Sequence, residues 1–403
     1  MNKTLFKQTE GGSRMVRYKQ QIINHCIYGD LSIPELSKLV SLSVPSVTKL
    51  LNELMDDGFV ADMGKQSVAG GRQPIIYGLN PDAGYFIGVE IQNKGVKMMA
   101  MNFKGKILAS EESAYCISDD SIASIDLLCE RIKGFISRPE IPEDKILGIG
   151  VCLQGRVNAE TGYSYSFMFV EEQPLAEMLG QRLGYNVYVD NDSRAATYGE
   201  YVMGAGAGEQ VSAMLYINAS WGLGLGMVFD GKLFYGKSGF AGEYGHFPMY
   251  DNEIICRCGK RGCLETEVSG SAVHRKFMER LKEGRKSILS DKYNRGEEIT
   301  MDDILEAVLH EDVLAIEIIE TVSHTLGQTL AGLINMFNPE LLVLGGSLAR
   351  VRDYMLLPMQ SAVNKYGLRM VSKDTRIKFS KLGDDAIAVG GCLLARSRAL
   401  NLI

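Results

Sequence analysis

Four potential metal ligands lie close together near the middle of this sequence. His246 is followed by Cys256, Cys258 and Cys263 in the stretch HFPMYDNEIICRCGKRGC, although the 403-residue chain contains only five histidines and eight cysteines. One imidazole and three thiolates match the number and type of donors in a closed tetrahedral zinc site. A redox pair is more often spaced C-x-x-C, and a catalytic zinc ion leaves one position open for water. The spacing therefore predicts one structural zinc ion per chain.

The composition predicts a globular protein with more than one packed core. Hydrophobic residues make up 46% of the chain and charged residues 23%, and a single core rarely extends through more than about 250–300 residues. No apolar stretch approaches the roughly twenty residues of a membrane span, and the start of the chain lacks the apolar core of a secretion signal. We therefore expect a cytoplasmic protein with no membrane partner, in which thiols stay reduced.

Charge is distributed unevenly along the chain. The formal net charge is −6, yet residues 1–49 contain seven lysines and arginines against three acidic residues. A basic segment on an acidic protein is typical of a region that contacts nucleic acid. The overall acidity argues against a protein that coats nucleic acid indiscriminately.

Three short helices are predicted around this basic segment. Apolar residues recur at helical spacing over 17–27, and Ser32 with Glu35 three positions later forms a capping-box pattern at the start of a second helix. The buried stripe predicted for the second helix is Ile33, Leu36, Leu39 and Val40. Ser43 is the predicted cap of a third helix, which ends at Gly58. Its predicted core face is Val47, Leu50, Leu51 and Leu54.

The third helix and the segment after it predict a winged helix-turn-helix that binds operator DNA. The third helix would enter the major groove. Two predicted strands flank the glycine tip GGRQP, which would carry an arginine to the minor groove or to phosphate. The candidate DNA contacts are Ser43, Ser46, Thr48, Lys49, Asn52 and Arg72. The alternative interpretation is a small helical packing domain with a polar hairpin.

Strands and helices alternate through the rest of the chain, which predicts an α/β body. Glycine-rich loops follow predicted strands at 87–95, 217–231 and 341–351. Ligands in such folds bind beyond the carboxyl ends of the strands, where glycine lets the backbone approach closely. The three loops together predict a ligand cleft between two lobes.

These patterns predict the domain organisation. A DNA-binding domain is expected at 1–80, with its core at 13–80, and the α/β body at 81–403. One predicted lobe of the body comprises 81–193 and a C-terminal helix at about 385–403. The other comprises 194–384 and contains the candidate zinc ligands.

Six motifs in this body resemble those of the ROK proteins, a family of repressors, open reading frames and sugar kinases. They are GIGVCLQGRVN at 148–158, VYVDNDSRAATYGE at 187–200, GFAGEYGHFPM at 239–249, CRCGKRGCLETEVSG at 256–270, NPELLVLGGSL at 338–348 and AIAVGGCLLA at 386–395. The resemblance covers nearly the whole chain and implies an actin-like, hexokinase-like (ribonuclease H-like) α/β fold with two lobes. The winged helix-turn-helix in front of it indicates the regulator branch, which includes repressors responsive to N-acetylglucosamine or xylose.

The resemblance also implies an effector site. Residues of the sugar-binding members carry over to Asn191, Asp192, Glu243, His246 and Glu265, with His246 both a zinc ligand and a sugar contact. Carboxylates and amides suit this role because each can bridge adjacent sugar hydroxyls. The alternatives are that Asp192 only caps a helix and that Glu243 and Glu265 only support the zinc ligands.

The phosphate loops depart from the pattern of the ROK kinases. Their first loop, D-I-G-G-T-K, reads EIQNKG at 90–95 in this chain, and their second, G-T-G-x-G-G-G, reads SWGLGLG at 220–226. The third loop, LGGSL at 344–348, is intact. Phosphoryl transfer depends on positioning and neutralising the phosphates, so the loss of two loops predicts a protein that is not an enzyme.

The sequence therefore predicts a regulator, most simply a repressor of carbohydrate-utilisation genes. Its partners would be operator DNA, a sugar or sugar-phosphate effector, and further copies of the chain in a homodimer or homotetramer. One alternative is an ATP-dependent kinase for a hexose or N-acetylhexosamine that retains a DNA-binding module, in which the resemblance implies that Asp192 is the general base. Another is a constitutive repressor whose sugar pocket is vestigial.

Overall fold

A computed structural model of the chain describes residues 14–65, 74–92, 95–114, 121–169, 173–209 and 211–402. The chain divides into two compact units, one made of 1–195 with 387–403 and the other of 196–386. Among the described residues, no helix is both long enough and apolar enough to span a bilayer.

The first unit begins with three helices and a small antiparallel sheet. The helices are α1 (Arg14–Ile27), α2 (Ile33–Leu39) and α3 (Val44–Asp56), and the strands are β1 (Leu31–Ser32), β2 (Val60–Lys65) and β3 (Ile75–Leu79). Strand β3 lies between β1 and β2 and pairs antiparallel with both. This is the winged helix-turn-helix arrangement that the sequence predicts, with β2 and β3 as the strands of the wing.

Local hydrogen bonds and apolar faces explain these helices. The Glu35 carboxylate accepts hydrogen bonds from the Ser32 N–H at 2.8 Å and the Ser32 hydroxyl at 2.6 Å, and Ser43 caps α3. The predicted core face of α3 is fully buried, and each side chain contributes roughly 1.5–3 kcal/mol. The stripe predicted for α2 is wrong at Leu39, which is 50% exposed. The short helix α2 buries only Leu36, and Val40 just beyond its end.

A five-stranded mixed sheet forms the centre of the first unit. Its strands are β4 (Tyr85–Gln92), β5 (Gly95–Asn102), β6 (Ile107–Ala114), β7 (Ile146–Leu153) and β10 (Val187–Asn191), in the order β10-β7-β4-β5-β6. Strands β4, β7 and β10 run parallel, and β5 pairs antiparallel with β4 and β6. A short hairpin of β8 (Val157–Asn158) and β9 (Tyr163–Ser164) follows β7.

Helices cover this sheet. The helices are α4 (Ile122–Ile136), α5 (Leu175–Leu183) and α14 (Ala386–Ala399). Helices α4 and α5 share an apolar core with alternate residues of β4 and β7. Helix α14 packs against glycines of the same strands, because a Cβ at Gly88 would lie 2.0 Å from the Ala388 carbonyl oxygen and one at Gly150 would lie 2.1 Å from that of Gly391. Only glycine permits this separation between helix and sheet.

The winged helix-turn-helix packs on the sheet domain within the first unit. Gln20 on α1 donates a hydrogen bond to the Leu400 carbonyl just beyond α14, at 3.2 Å. Lys104, in the turn between β5 and β6, forms an ion pair with Asp30 at 2.9 Å. Helix α14 therefore runs from the unit boundary at residue 386 to the first helix of the DNA-binding segment.

The second unit also contains a five-stranded mixed sheet. Its strands are β11 (Ala213–Ala219), β12 (Leu223–Phe229), β13 (Lys232–Leu233), β14 (Leu341–Gly345) and β15 (Arg376–Phe379), in the order β13-β12-β11-β14-β15. The remaining helices are α6 (Asp192–Val202), α7 (Glu265–Val268), α8 (Gly270–Lys282), α9 (Ser290–Asn294), α10 (Met301–Leu309), α11 (Val313–Phe337), α12 (Arg352–Tyr366) and α13 (Arg369–Asp374). Helix α6 crosses the unit boundary at 195–196. The mixed sheets with their helices confirm the predicted α/β fold class.

Candidate functional site

The four predicted metal ligands come together in the second unit. The ligand atoms of His246, Cys256, Cys258 and Cys263 all lie within 4.8 Å of one another. His246 Nδ1 is 3.5 Å from Cys256 Sγ, and the sulfurs of Cys258 and Cys263 are 3.6 Å apart. Cys256 and Cys263 are buried, whereas Cys258 is exposed. We refer to these four residues as the Cys3His cluster.

Two distances within the Cys3His cluster match those expected around a tetrahedral ion. With zinc–sulfur bonds of about 2.3 Å and zinc–nitrogen bonds of about 2.0 Å, tetrahedral angles place two sulfurs about 3.8 Å apart and a sulfur and nitrogen about 3.5 Å apart. The observed 3.6 Å and 3.5 Å agree with these values. The donor set and its geometry therefore suit a metal ion such as zinc.

Two glycines shape the loop that carries the thiols. Gly259 has φ +82° and Gly262 has φ +71°, the left-handed region that favours glycine. A Cβ at Gly262 would lie 2.0 Å from the Tyr250 carbonyl oxygen. Isolated bridges between Pro248 and Cys263 and between Ile255 and Arg261 close the loop on itself. The tight loop thus brings the three thiols together.

Glu265 connects the Cys3His cluster to strand β12. One carboxylate oxygen of Glu265 lies 3.5 Å from Cys256 Sγ, and the other accepts a hydrogen bond from the Leu223 N–H at 3.0 Å. A Cβ at Gly222 would lie 2.8 Å from the same carboxylate, so the turn and this side chain pack closely together. The contact with Cys256 agrees with the alternative in which Glu265 supports a metal ligand, and it leaves open a sugar contact as well.

Glu243 and His246 are the other two candidate effector residues of the second unit. Like Glu265, they lie at the end of β12 that begins with Leu223. His246 Nε2 is 3.7 Å from the Glu243 carboxylate. The turn that carries both residues packs on β12, since a Cβ at Gly245 would lie 2.4 Å from the Leu223 carbonyl oxygen. Glu243, His246 and Glu265 are therefore neighbours around the start of one strand.

Asn191 and Asp192 lie in the first unit, where β10 meets α6. The Asn191 side-chain oxygen accepts hydrogen bonds from the N–H groups of Ser193 at 3.0 Å and Arg194 at 3.2 Å, and its amide donates to the Gly155 carbonyl at 3.0 Å. Asn191 therefore caps α6. In the alternative interpretation from the sequence, Asp192 has this role. Burial raises the pKa of Asp192 to about 6, although hydrogen bonds from Ser193 oppose the shift.

Glu90 is a buried carboxyl group that sequence reasoning named only as part of a degenerate loop. It is 6% exposed on strand β4. One of its oxygens accepts a hydrogen bond from the Gln92 amide at 3.0 Å, and the other is buried without a partner. Burial, and to a lesser degree the charge of Asp192, raises the pKa of Glu90 to about 7. A single charged residue within the apolar run YFIGVEI is the signal that could have identified it.

The backbone amides near the second and third kinase-like loops are already hydrogen bonded. The first N–H groups of α8, those of Gly270 and Ser271, donate to the carbonyls of Ser220 and Trp221 at 2.7 and 3.0 Å. The Ser347 N–H donates to the Ser220 hydroxyl at 3.2 Å. Helix N-termini and glycine loops bind phosphate through free N–H groups. Here these groups instead hold the loops to one another.

The predicted DNA-reading face of α3 is open to solvent. Ser43, Ser46, Lys49 and Asn52 are exposed. Thr48 is partly buried, and its hydroxyl donates a hydrogen bond to the Val44 carbonyl at 2.8 Å. Arg72, the candidate at the wing tip, lies outside the described residues.

Comparisons with known proteins agree on one family. The model of the ROK family matches residues 86–398. The xylose repressor of Caldicellulosiruptor bescii is 30% identical over 99% of this chain and 98% of its own length. The crystal structure of a ROK family transcriptional regulator, a homolog of the E. coli MLC protein, has a TM-score of 0.79 and 26% identity, covering 95% of this chain and 96% of that one.

A glucokinase matches less of the chain. The ROK family glucokinase from Streptomyces griseus, solved with glucose and AMPPNP, has a TM-score of 0.68 and 26% identity. The match covers all of that chain but only 78% of this one. The two regulators, by contrast, match nearly the whole of this chain.

Proposed function

The chain belongs to the ROK family, and from this premise we propose that it is a sugar-responsive repressor of transcription. The observation that carries the proposal is the winged helix-turn-helix in front of the family domain, with α3 exposing its polar face. The matched regulators extend over this segment. A ligand-controlled repressor requires two parts, a domain that binds DNA and a domain that binds the effector.

The protein is a regulator rather than an enzyme. A kinase must hold the nucleotide phosphates through free backbone N–H groups and a metal ion. In this chain the N–H groups of Gly270, Ser271 and Ser347 donate to Ser220 and Trp221. Admitting a phosphate there would break the hydrogen bonds that hold the turn between β11 and β12 to α8 and to the third loop.

We propose two groups of effector-binding residues. Asn191 and Asp192 come from the first unit, and Glu243, His246 and Glu265 from the second. The convergence of the last three at the start of β12 supports their shared role. Carboxylate and imidazole groups can exchange hydrogen bonds with sugar hydroxyls, which gives strong selectivity against analogues that lack one. The effector is a sugar or sugar phosphate.

The Cys3His cluster binds one structural zinc ion per chain in this proposal. All four coordination positions are filled by protein, so the ion would supply rigidity and no reactive water. His246 and Cys256 would hold the turn that carries Glu243 and keep Glu265 in place. The loop that carries the Cys3His cluster thereby orders the sugar-binding side chains.

Helix α14 provides a route from effector binding to DNA. It starts at the boundary between the units and ends beside Gln20 of α1. A sugar alters operator affinity only through its different affinities for two conformations. We propose that sugar binding shifts α14 and with it the DNA-binding domain, residues 1–80, relative to the rest of the body, residues 81–403.

The assembly we propose is a homodimer or homotetramer in the cytoplasm. Helix α3 of each of two subunits would enter the major groove of one operator. Their half-sites would then be about 34 Å apart, or a multiple of that distance. Repressor release follows when the sugar disfavours this spacing.

The test combines operator binding with ligand binding. Zinc-replete protein is mixed with DNA fragments from upstream of its own gene and neighbouring sugar-utilisation genes, with and without each of a panel of sugars and sugar phosphates. We expect one fragment to bind with nanomolar affinity and one sugar to weaken that binding. The same sugar should stabilise the protein thermally, by about 2.7 kcal/mol at 100 times its dissociation constant.

Three outcomes would contradict the proposal. The first is a protein that binds none of the DNA fragments. The second is operator binding that no sugar changes, which would indicate a constitutive repressor. The third is turnover of ATP with a hexose that Asp192→Asn abolishes, which would indicate a kinase.

A further inference from the structure

We propose that Trp221 forms an additional wall of the effector site and that the effector is an uncharged sugar whose apolar face stacks on the indole. The inference rests on the proposed function, because it takes Glu265 and Glu243 as effector-binding residues. It adds a residue that determines specificity and narrows the ligand class to a sugar without phosphate.

The backbone at Trp221 is held rigidly. Trp221 lies in the turn between β11 and β12, which the Ser220 N–H closes by donating to the Gly222 carbonyl at 3.1 Å. The Trp221 carbonyl accepts a hydrogen bond from the Ser271 N–H at the start of α8, at 3.0 Å. A turn fixed at both strands and at a helix does not need to be ordered by its ligand.

The indole is supported on one side and open on the other. Its ring contacts the His274 ring, with centroids 5.6 Å apart. His274 is itself held by a hydrogen bond between its Nε2 and the Ile299 carbonyl at 2.8 Å. Even so, Trp221 remains 42% exposed. A large aromatic surface that is fixed in place and open to solvent is suited to binding.

The turn that carries the indole adjoins the candidate sugar-binding carboxylates. Gly222, the next residue in the chain, packs directly on Glu265, since a Cβ there would lie 2.8 Å from its carboxylate. The Leu223 N–H donates to the same carboxylate at 3.0 Å. Glu243 and His246 lie on the turn that packs on Leu223. The turn that carries Trp221 and the carboxylates thus lie together at the start of β12.

This combination fits a sugar ring. A sugar ring has hydroxyls around its edge, which carboxylates can accept from, and a face of C–H groups, which an aromatic face can cover. Two carboxylates near this turn would repel a phosphate placed there. The nearby helix N–H groups that could offset this repulsion already donate to the turn. These observations favour a neutral sugar over a sugar phosphate or a nucleotide.

Intrinsic fluorescence tests this directly, because Trp221 is the only tryptophan in the chain. Full-length zinc-replete protein is titrated with xylose, glucose and N-acetylglucosamine, with the phosphate ester of each, and with magnesium ATP. We expect one neutral sugar to change the emission in a saturable manner. Its dissociation constant should equal that from calorimetry, whereas the corresponding phosphate should bind at least about tenfold more weakly.

Variants test the contribution of the indole itself. Trp221→Ala should weaken sugar binding by at least about tenfold in calorimetry, and Trp221→Phe should retain most of the affinity. Tyr366→Ala is the matched control, because Tyr366 is 41% exposed and its ring also packs on a histidine, His324, in the same unit. The control should bind sugar like the parent. A cooperative melt of Trp221→Phe shows that the turn folds.

The outcomes separate this inference from the proposed function. If a neutral sugar stabilises the protein and releases operator DNA, but emission is unchanged and Trp221→Ala binds it normally, the role of Trp221 is wrong and the repressor function stands. Preferential binding of a sugar phosphate, or an emission change with magnesium ATP alone, would overturn the choice of a neutral sugar. If no sugar binds by any method, the proposed function itself fails.

Discussion

The sulfurs of Cys258 and Cys263 lie 3.6 Å apart, although Cys263 is buried and Cys258 is exposed to solvent. A substitution at an exposed position away from special contacts usually changes stability by less than about 0.5 kcal/mol. Loss of a metal ligand costs far more, because the free energy of metal binding is also folding free energy.

We therefore expect Cys258→Ser to lose bound zinc and to melt at a lower temperature than the parent, by at least several degrees. Elemental analysis and thermal unfolding measure both effects. Cys129→Ser, at a buried cysteine outside the Cys3His cluster, should keep one zinc ion per chain. An unchanged melting temperature in Cys258→Ser, together with insensitivity of the parent to a chelator, would contradict a structural zinc site.

Burial of Glu90 predicts that stability falls as pH rises from about 4.5 to about 7. Its pKa is raised from 4.5 to about 7, so the folded state binds the proton more tightly than the unfolded state between these values. The stabilisation is complete below about pH 4.5 and is lost as pH rises through 7, a change on the order of 3 kcal/mol. Asp192, with its pKa raised to about 6, acts in the same direction.

We expect Glu90→Gln to flatten the dependence of stability on pH in this range. At pH 8 its melting temperature should be higher than that of the parent. Melting temperatures measured from pH 5 to pH 8 give the comparison. Glu130→Gln, at an exposed carboxylate on α4, is the control and should follow the parent. A parallel profile for Glu90→Gln and the parent would show that Glu90 does not carry the pH dependence.

The contact between α14 and the first sheet predicts an intolerant glycine. A Cβ at Gly88 would lie 2.0 Å from the Ala388 carbonyl oxygen, a backbone atom that has no flexible side chain to move. Gly88→Ala should therefore destabilise the protein by about 1–3 kcal/mol. Gly134 in α4 has nothing within 4 Å of its added Cβ, and Gly134→Ala should stabilise that helix by up to about 1 kcal/mol. Thermal unfolding distinguishes the two, and equal effects would refute this account of α14 packing.

Lys49 provides a test of the DNA-reading face. It is exposed on α3, between Thr48 and the buried Leu50. We expect Lys49→Ala to weaken operator binding about tenfold and to make its salt dependence shallower by about one unit, because an exposed ammonium group on this face meets phosphate. Lys282→Ala, at an exposed lysine at the end of α8, should leave both quantities unchanged. If the two variants bind alike, Lys49 does not contact the operator.

Most of what the sequence predicted correctly depends on residues close together in the chain. The capping of α2 by Ser32 and Glu35 is an interaction over three positions, and the core face of α3 follows from helical periodicity. The metal ligands span only the loop from His246 to Cys263, so their number and spacing carry the chemistry. The motifs of the body likewise indicated the family and the α/β fold.

Only the tertiary structure decided which groups meet across long stretches of chain. Glu265 reaches the Leu223 N–H over 42 positions, the Gly270 N–H pairs with the Ser220 carbonyl, and Glu90 loses its solvent because other strands and helices surround β4. Sequence periodicity indicates which face of an element is apolar, but it does not show what packs on that face. For this reason Leu39 was wrongly predicted to be buried. Hydrogen bonding and burial between distant segments are properties of the packed molecule, and they determine which polar groups remain available for a ligand.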